Sequence, residues 1–475
     1  MAYALVWLRN DLRLGDNPAL QAALQDGLDP IVVYIHSPEE AGEWGCGAAS
    51  RQWLRRSLSA LMRQLQARGS DLVVRRGPSA EALQDLVDQL DVQAIFWNRK
   101  YDSVARDAQI KSRFRQQGLK VVSFHANLLI EPQHLLNRQD QPFRVFTPFW
   151  RAASQCLAPP QLFPAIKCLP AVPPSLCKHD LSACLGESPS PSWDLSFWDE
   201  WQPGEEGAIK SLHRFIEESL SSYRDRRNFP DQNGTSRLSP HLHFGEITPA
   251  RVCAEIKART ALIAYSDSEA YIRQLGWREF GHYLLYHFPH SITHHLNRRF
   301  ESFAWEKPEP TRLKEWQRGR TGVPIIDAAM RQLWQTGWMH NRVRMIVASY
   351  LCKHMRIHWL HGARWFWHTL VDADLANNTL GWQWVAGTGV DAAPYFRVFN
   401  PVLQATRFDP KAEYISRWLP ELSALPLQKR FAPWEDPELL KRVAPHYPRQ
   451  PIVNLDHGRQ AALEAYANIS RSASS

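Results

Sequence analysis

The chain of 475 residues is poor in cysteine and has no C-x-x-C pair. Seven cysteines, an odd number at irregular spacing, do not make a disulfide framework, and they point to a reducing, intracellular, cytoplasmic setting. Cys156, Cys168, Cys177 and Cys184 share one proline-rich stretch with His179, but the spacings match no zinc pattern, so no metal site is expected. No apolar run approaches the roughly 20 residues of a bilayer span. The N-terminal "YALVWLR" is too short and too soon followed by acids to be a signal peptide, and it reads as a buried strand. A Walker loop, an H-E-x-x-H site, paired glutamates and a Ser–His–acid triad are all missing. What is abundant is tryptophan, with 20 residues. Many indoles without hydrolytic machinery favour redox or light chemistry over acid–base work. The net charge of +8 is spread thinly and hints only at a polyanionic partner.

Strand-like runs ("YALVWLR", "PIVVYIHSP", "DLVVRRG", "QAIFWNRK", "LKVVSFHAN") alternate with helix-like ones over residues 1–132. That alternation predicts a parallel-sheet, Rossmann-like α/β domain, although it carries no G-x-G-x-x-G turn. Residues 133–200 are proline-rich and aperiodic, and read as a long connector over the surface. Residues 201–475 are helical in pattern, giving an all-helical C-terminal domain. No internal repeat is evident.

Four constellations carry chemistry. Gln274, Trp277 and Arg278 stand at i, i+3 and i+4, on one helix face. Trp338, Asn341, Arg342 and Met345 repeat that mixture of indole, amide, cation and soft apolar group, with Arg344 on a neighbouring face; a base in a pocket wants this combination. In "DADLANNTLGWQW", Asp374, Asn378 and Trp382 form one stripe if the segment is helical, and Asn377, Gly381 and Trp384 another. In "NGTSRLSPHLHFGEI", Thr235, Ser236, Arg237, Leu238 and Ser239 precede a helical run, where hydroxyls, backbone N–H groups and a cation suit a diphosphate. His241 and His243 beside a proline turn read as structural rather than metal-binding.

Together with "VWLRNDLRLGDNPAL", "FTPFW", "LGWREF" and "TGVPIIDAAMRQLWQTGWMHNRVRM", these motifs resemble the photolyase/cryptochrome family over nearly the whole chain, in the manner of a bacterial class I cyclobutane pyrimidine dimer photolyase. The resemblance implies a folded FAD in the helical domain. Tyr223 and the Thr235–Ser239 loop would meet its ribityl–diphosphate part, and Trp277 and Arg278 would line the pocket. Arg344 and Asp372 would pair over the isoalloxazine, Asp374 would bond its edge, and Asn378 would face N5. Trp382, Trp359 and surface Trp305 would relay electrons, with Trp316 the other choice of terminus. Light-excited reduced FAD would pass an electron to a flipped-out dimer, split it, and recover the electron. Trp277 and Trp384 would flank the lesion, with Asn341, Arg342 and Met345 around it. Arg227, Arg342, Arg397 and Gln404 would meet the backbone of UV-damaged DNA. The protein would act as a monomer.

The class I pattern carries glutamate at position 274, where this chain has Gln274. The amide keeps hydrogen bonding and loses proton supply. Glutamine here also occurs in (6-4) photolyases, but those carry a second histidine in the region where this chain has His340, Asn341 and Arg342, which favour the cyclobutane dimer. A cryptochrome-type blue-light receptor is the competing reading, although such receptors often carry a long C-terminal extension and this chain stops soon after the family core. The family commonly holds an antenna chromophore; "NRKYDSVARDAQIK" could line its pocket. Methenyltetrahydrofolate is preferred to a deazaflavin, even though "HHLNRR" replaces the Cys-Lys pair that helps hold folate in some members.

Overall fold

Five short apolar runs become strands: β1 Tyr3–Leu8, β2 Asp29–His36, β3 Leu72–Arg76, β4 Val92–Asn98 and β5 Lys120–Phe124. The computed structural model describes residues 2–157, 162–164, 166–176, 181–186, 193–259, 265–391 and 396–472. All strand pairs are parallel, in the order β3-β2-β1-β4-β5. Helices α1 Pro18–Gln25, α2 Ala48–Gln66, α3 Ser79–Gln89 and α4 Val104–Gln116 connect and cover them. Burial on both faces explains why the strands read as continuous apolar runs rather than as alternation. The strand order reverses at β1, and the crevice outside the carboxyl ends of β1 and its neighbours is where such sheets bind ligands.

The stretch expected to be an aperiodic surface connector contains helix α5, Phe146–Cys156. Phe146, Phe149 and Ala153 recur at helical spacing and are fully buried. The proline that disguised it, Pro148, sits in the first turn, where a missing N–H costs nothing. Cys177 and His179 lie outside the described residues.

The chain then builds α6 Glu205–Glu218, α7 Tyr265–His287, α8 Pro324–Thr336, α9 Asn341–Ser349, α10 Trp359–Thr369, α11 Leu375–Ala386 and α12 Pro401–Phe408. The largest core lies among α8 to α11 and includes Trp316, Trp359 and Trp382. Helix α7 meets α5 closely: a Cβ on Gly276 would lie 2.5 Å from the Trp150 ring. Buried and half-buried charged groups hold the sheet part to the helical part. Glu205 accepts from the N–H groups of Leu14 and Gly15, both at 3.0 Å. Glu279 accepts from Leu129 N–H at 2.7 Å and Ile130 N–H at 3.2 Å, and Arg13 donates to Gly245 O at 2.8 Å. Among the described residues no helix is long and apolar enough to cross a membrane.

Candidate functional site

Asp374 organises the start of α11. It is the N-cap, and its Oδ1 accepts from Asn377 N–H at 2.9 Å. Its Oδ2 faces His243 Nδ1 at 3.3 Å and His282 Nε2 at 3.5 Å. Burial opposes charge on Asp374, but the two histidines and Arg278 outweigh it and hold the carboxyl well below its usual range. Burial drives His282 down to about 4, so this ring is neutral at pH 7 beside the carboxylate. One turn on, Asn378 donates to Ala363 O at 3.0 Å, leaving its Oδ1 without a partner among the described residues. Another turn on, Trp382 is buried edge-on against Phe366, with ring centroids 5.0 Å apart.

Arg344 on α9 pairs with Asp372 at 2.8 Å and donates to Met339 O at 2.6 Å. Trp338 was expected on the same helix face as Asn341. It lies before α9, which starts at Asn341 with His340 as N-cap, and its Nε1–H donates to Ser239 Oγ at 3.3 Å. Asn341 and Met345 do share a face, 4.0 Å apart at Nδ2 and Sδ. Arg342 reaches Met345 Sδ at 3.9 Å and Asn228 Oδ1 at 2.7 Å.

The Thr235–Ser239 loop leads into a helix of only five residues, Ser239–His243, and Leu238 occupies its cap position without a side-chain bond. The hydroxyls are therefore not spent as caps. Ser236 Oγ accepts from Tyr271 O–H at 2.9 Å, and Tyr271 packs edge-on against buried Tyr223 at 5.2 Å. Arg237 has a φ of 53°, which turns the loop. Its guanidinium pairs with Glu200 and lies over Trp201 and Trp338, so its charge is already engaged.

On α7, Trp277 stacks on Phe146 at 3.7 Å with the planes 8° apart. Gln274 bonds back to Ala270 O at 3.4 Å, and Arg278 donates to Asn127 O at 3.0 Å. Trp384 is half-buried on α11. Arg227 and Arg397 lie near Arg342 of α9 from other segments, and Gln404 is on α12. Their company includes Arg407, which sequence reasoning missed: Arg342 and Arg407 lie over Phe408, 4.2 and 5.2 Å from its centroid. Burial first, then Arg227, Arg407 and Arg397, lower Arg342 to about 10. His243, His282 and Phe146 were also missed. Only a fold that joins distant segments reveals them.

Trp359 is fully buried, and Trp305 is half-buried close to His295 and His358. Trp316, the other choice of terminal indole, is fully buried, 6.4 Å from Trp382.

A cavity of about 650 Å³ opens at the carboxyl ends of β1, β2 and β4. Trp7, Arg9, His36 and the stretch Arg99–Arg106 line the sheet side; His243, Arg278, His282 and Asp374 line the other. The cavity thus touches the Asp374 cluster from the sheet side.

The polar groups fit FAD. His282 Nε2 is buried and makes no hydrogen bond among the described residues. Asn378 keeps a free acceptor, and a Cβ on Gly381 would meet nothing within 4 Å. Ser236 and Ser239 accept from Tyr271 and Trp338 and so keep their O–H donors, which suit a diphosphate, and an ion pair beside an acid and an amide suits a flat ring with a polar edge.

Residues 4–170 match the family model described as DNA photolyase, and residues 271–468 match that of the FAD binding domain of DNA photolyase. The chain is 43% identical to the deoxyribodipyrimidine photo-lyase of Agrobacterium fabrum, over 99% of this chain and 98% of that one. It is 36% identical to cryptochrome-1 of Arabidopsis thaliana, over 98% of this chain and 70% of the plant protein. A crystal structure of a bacterial class III photolyase from Agrobacterium tumefaciens aligns with a TM-score of 0.94 at 43% identity, covering 99% of this chain and 98% of the other. The chain belongs to the photolyase/cryptochrome family, with the expected α/β domain and helical FAD-binding domain. The class I likeness read from the motifs thus stands beside a class III neighbour.

Proposed function

We propose that this protein is a light-driven DNA-repair lyase acting on cyclobutane pyrimidine dimers. The observation that carries this reading is the arginine group beside α9. Arg227, Arg397 and Arg407 lie near enough to Arg342 to add to burial in lowering it, and Arg342 takes a neutral partner, Asn228. Such a rim suits phosphodiesters, and Asn341 and Met345 on the same helix offer an amide and a soft apolar surface to a base. Names among the relatives point the same way.

Tyr223, Thr235, Ser236, Arg237, Leu238, Ser239, Trp277, Arg278, Arg344, Asp372, Asp374 and Asn378 would hold FAD. When bound and reduced, FAD supplies the light-excited electron that opens the cyclobutane ring and takes that electron back. Asn378, whose Oδ1 is left to accept while its Nδ2 donates to Ala363 O, meets the polar edge. Trp277 and Trp384 offer flat surfaces to the lesion, and Gln274 hydrogen-bonds it. Trp382, Trp359 and Trp305 carry electrons inward from the surface. The cavity at the sheet's carboxyl end is the place for a second chromophore; buried Trp7 Nε1 and Arg9 Nε there lack partners among the described residues. Methenyltetrahydrofolate is preferred to a deazaflavin, and the absorption of pigment released by heat decides between them.

The experiment uses chemically reduced protein and two oligonucleotides, one with a thymine cyclobutane dimer and one with a (6-4) lesion, under near-UV light. Recovery of thymine absorbance from the first alone supports the proposal. Repair of the second alone assigns the other lesion. No repair of either, with FAD bound, supports the photoreceptor reading, which the 36% identity to a plant cryptochrome keeps in view.

A further inference from the structure

The two outer indoles of the relay have histidines between them. Trp359 Nε1–H donates to His295 Nδ1 at 3.2 Å, inside the core. His295 Nε2 lies 3.2 Å from His358 Nε2. His358 Nδ1 accepts from Leu360 N–H at 3.2 Å, as the cap of α10. Trp305 lies nearly parallel to His295, with centroids 5.9 Å apart and planes at 17°, and it meets His358 edge-on at 5.1 Å. The two imidazoles thus touch both indoles.

We propose that His295 is the proton acceptor for Trp359 when that indole is oxidised, an inference that rests on the relay reading above. When bound, an oxidised flavin excited by light would supply the electron acceptor; Trp382 would give up one electron and regain one from Trp359. The Trp359 ring is then a radical cation in a dry interior, where an unpaired charge is costly. Its Nε1–H bond breaks, and the proton goes to the lone pair of His295 Nδ1. The products are a neutral indolyl radical and a transient imidazolium, which passes its other ring proton on. Re-reduction of Trp359 draws the Nδ1 proton back, and His295 Nε2 regains one from solvent.

The hydrogen-bond pattern favours this step. Donors at both Nδ1 atoms place each ring's own hydrogen on Nε2, so two N–H groups face each other across the pair. A proton gained at His295 Nδ1 lets the Nε2 hydrogen leave to solvent, and that nitrogen then accepts from His358. The cluster gives up one proton for each hole that it holds. Burial lowers His295 to about 4, against the pull of Glu301 and with help from His294. Burial, then His295, His361 and Arg364, lower His358 to about 4 as well. Both rings are therefore neutral at pH 7; the His295 Nδ1 lone pair already accepts the Trp359 N–H and can take its proton, whereas that of His358 is held by Leu360 N–H.

The test is flash excitation of the holoenzyme carrying oxidised flavin, in a Trp305→Phe background that stops the hole at Trp359. Radical spectra are recorded in H2O and D2O, and a pH-indicator dye follows released protons. The expected result is a neutral tryptophanyl radical, slower to form in D2O, with proton release. Adding His295→Gln keeps an acceptor oxygen but no basic nitrogen. It should leave the cation, which absorbs to the red of the neutral radical, slow deprotonation about a hundredfold, and abolish the dye signal. Equal deprotonation rates with and without His295, or no isotope effect, overturn the proposal. So does a dark nitrogen-15 resonance of the Trp359 indole at the position of a free N–H, a readout that needs no turnover. If no tryptophanyl radical forms and Trp382→Phe leaves photoreduction unchanged, the relay itself fails and this inference with it.

Discussion

Gln274 lies one turn before Trp277, and its amide is held only by a 3.4 Å bond back to Ala270 O. A carboxyl at this position keeps the acceptor and adds a proton to share with a reduced pyrimidine. Gln274→Glu should therefore raise the yield of dimer repair per absorbed photon while changing DNA affinity by less than about 1 kcal/mol. Photon-counted repair beside a binding titration checks both halves. Trp382→Phe separates the relay from repair: photoreduction slows, and repair by chemically reduced enzyme stays. Equal loss of both would sink the relay. Glu279 supplies a pH effect. Burial, opposed by Arg278 and two backbone N–H groups, raises it from 4.5 to about 7. Between those pH values the folded state keeps a proton that the unfolded state has lost, so stability falls as pH rises across the window and levels off above it. Glu279→Gln, still able to accept from Leu129 and Ile130, should flatten that slope, worth at most about 3 kcal/mol. Thermal unfolding from pH 4.5 to 8 is the measurement. At this scale local spacing revealed which side chains share a helix turn, such as Asp374 and Asn378. It could not reveal that Asp374 meets His243 and His282, because those contacts arise only when three distant segments pack.

Helix α11 is placed by what it packs against. Gly362 on α10 has no side chain where the Trp382 indole lies; a Cβ there would be 2.0 Å from the ring. Gly362→Ala forces the indole or the helix to move. Overpacking of this kind costs about 1–3 kcal/mol. The melting temperature should fall, and photoreduction should slow even though every relay residue is present. Unchanged photoreduction at a lowered melting temperature would show that the helix, and not the indole, gives way. The sheet and most helices were legible because their periodicity is strong. Helix α5 was not, because Pro148 and the aperiodic proline-rich run after it hid an apolar stripe that makes sense only against Trp277 and Phe280. Trp338 was assigned to a helix face because its spacing fits, yet His340 caps α9 and leaves Trp338 outside it. Spacing gives the face of a helix but not its first residue.

Over the whole molecule, a net charge of +8 spread over 475 residues says little about partners. Location says more. Arg227, Arg342, Arg397 and Arg407 converge beside α9, whereas many other cations are paired: Lys120 with Asp26 at 2.5 Å, Arg344 with Asp372 at 2.8 Å, Arg331 with Glu421 at 2.7 Å. Gathering four guanidiniums costs folding energy through mutual repulsion, and a polyanion that neutralises them recovers it. Each cation that neutralises a phosphate releases a condensed counterion, so the logarithm of affinity falls with the logarithm of salt by about 0.9 per contact on duplex DNA. Arg407→Gln should therefore make that slope shallower by about 0.9 and weaken binding to damaged and undamaged duplex alike. Lys120→Gln, on β5 and already paired, should leave the slope unchanged. Titrations over a range of salt concentrations read both. If Arg407→Gln lowers affinity for damaged DNA alone, its guanidinium reads the lesion and not the backbone. If both variants lower the slope equally, the duplex is held by diffuse charge over the surface, and the arginine rim is not its seat.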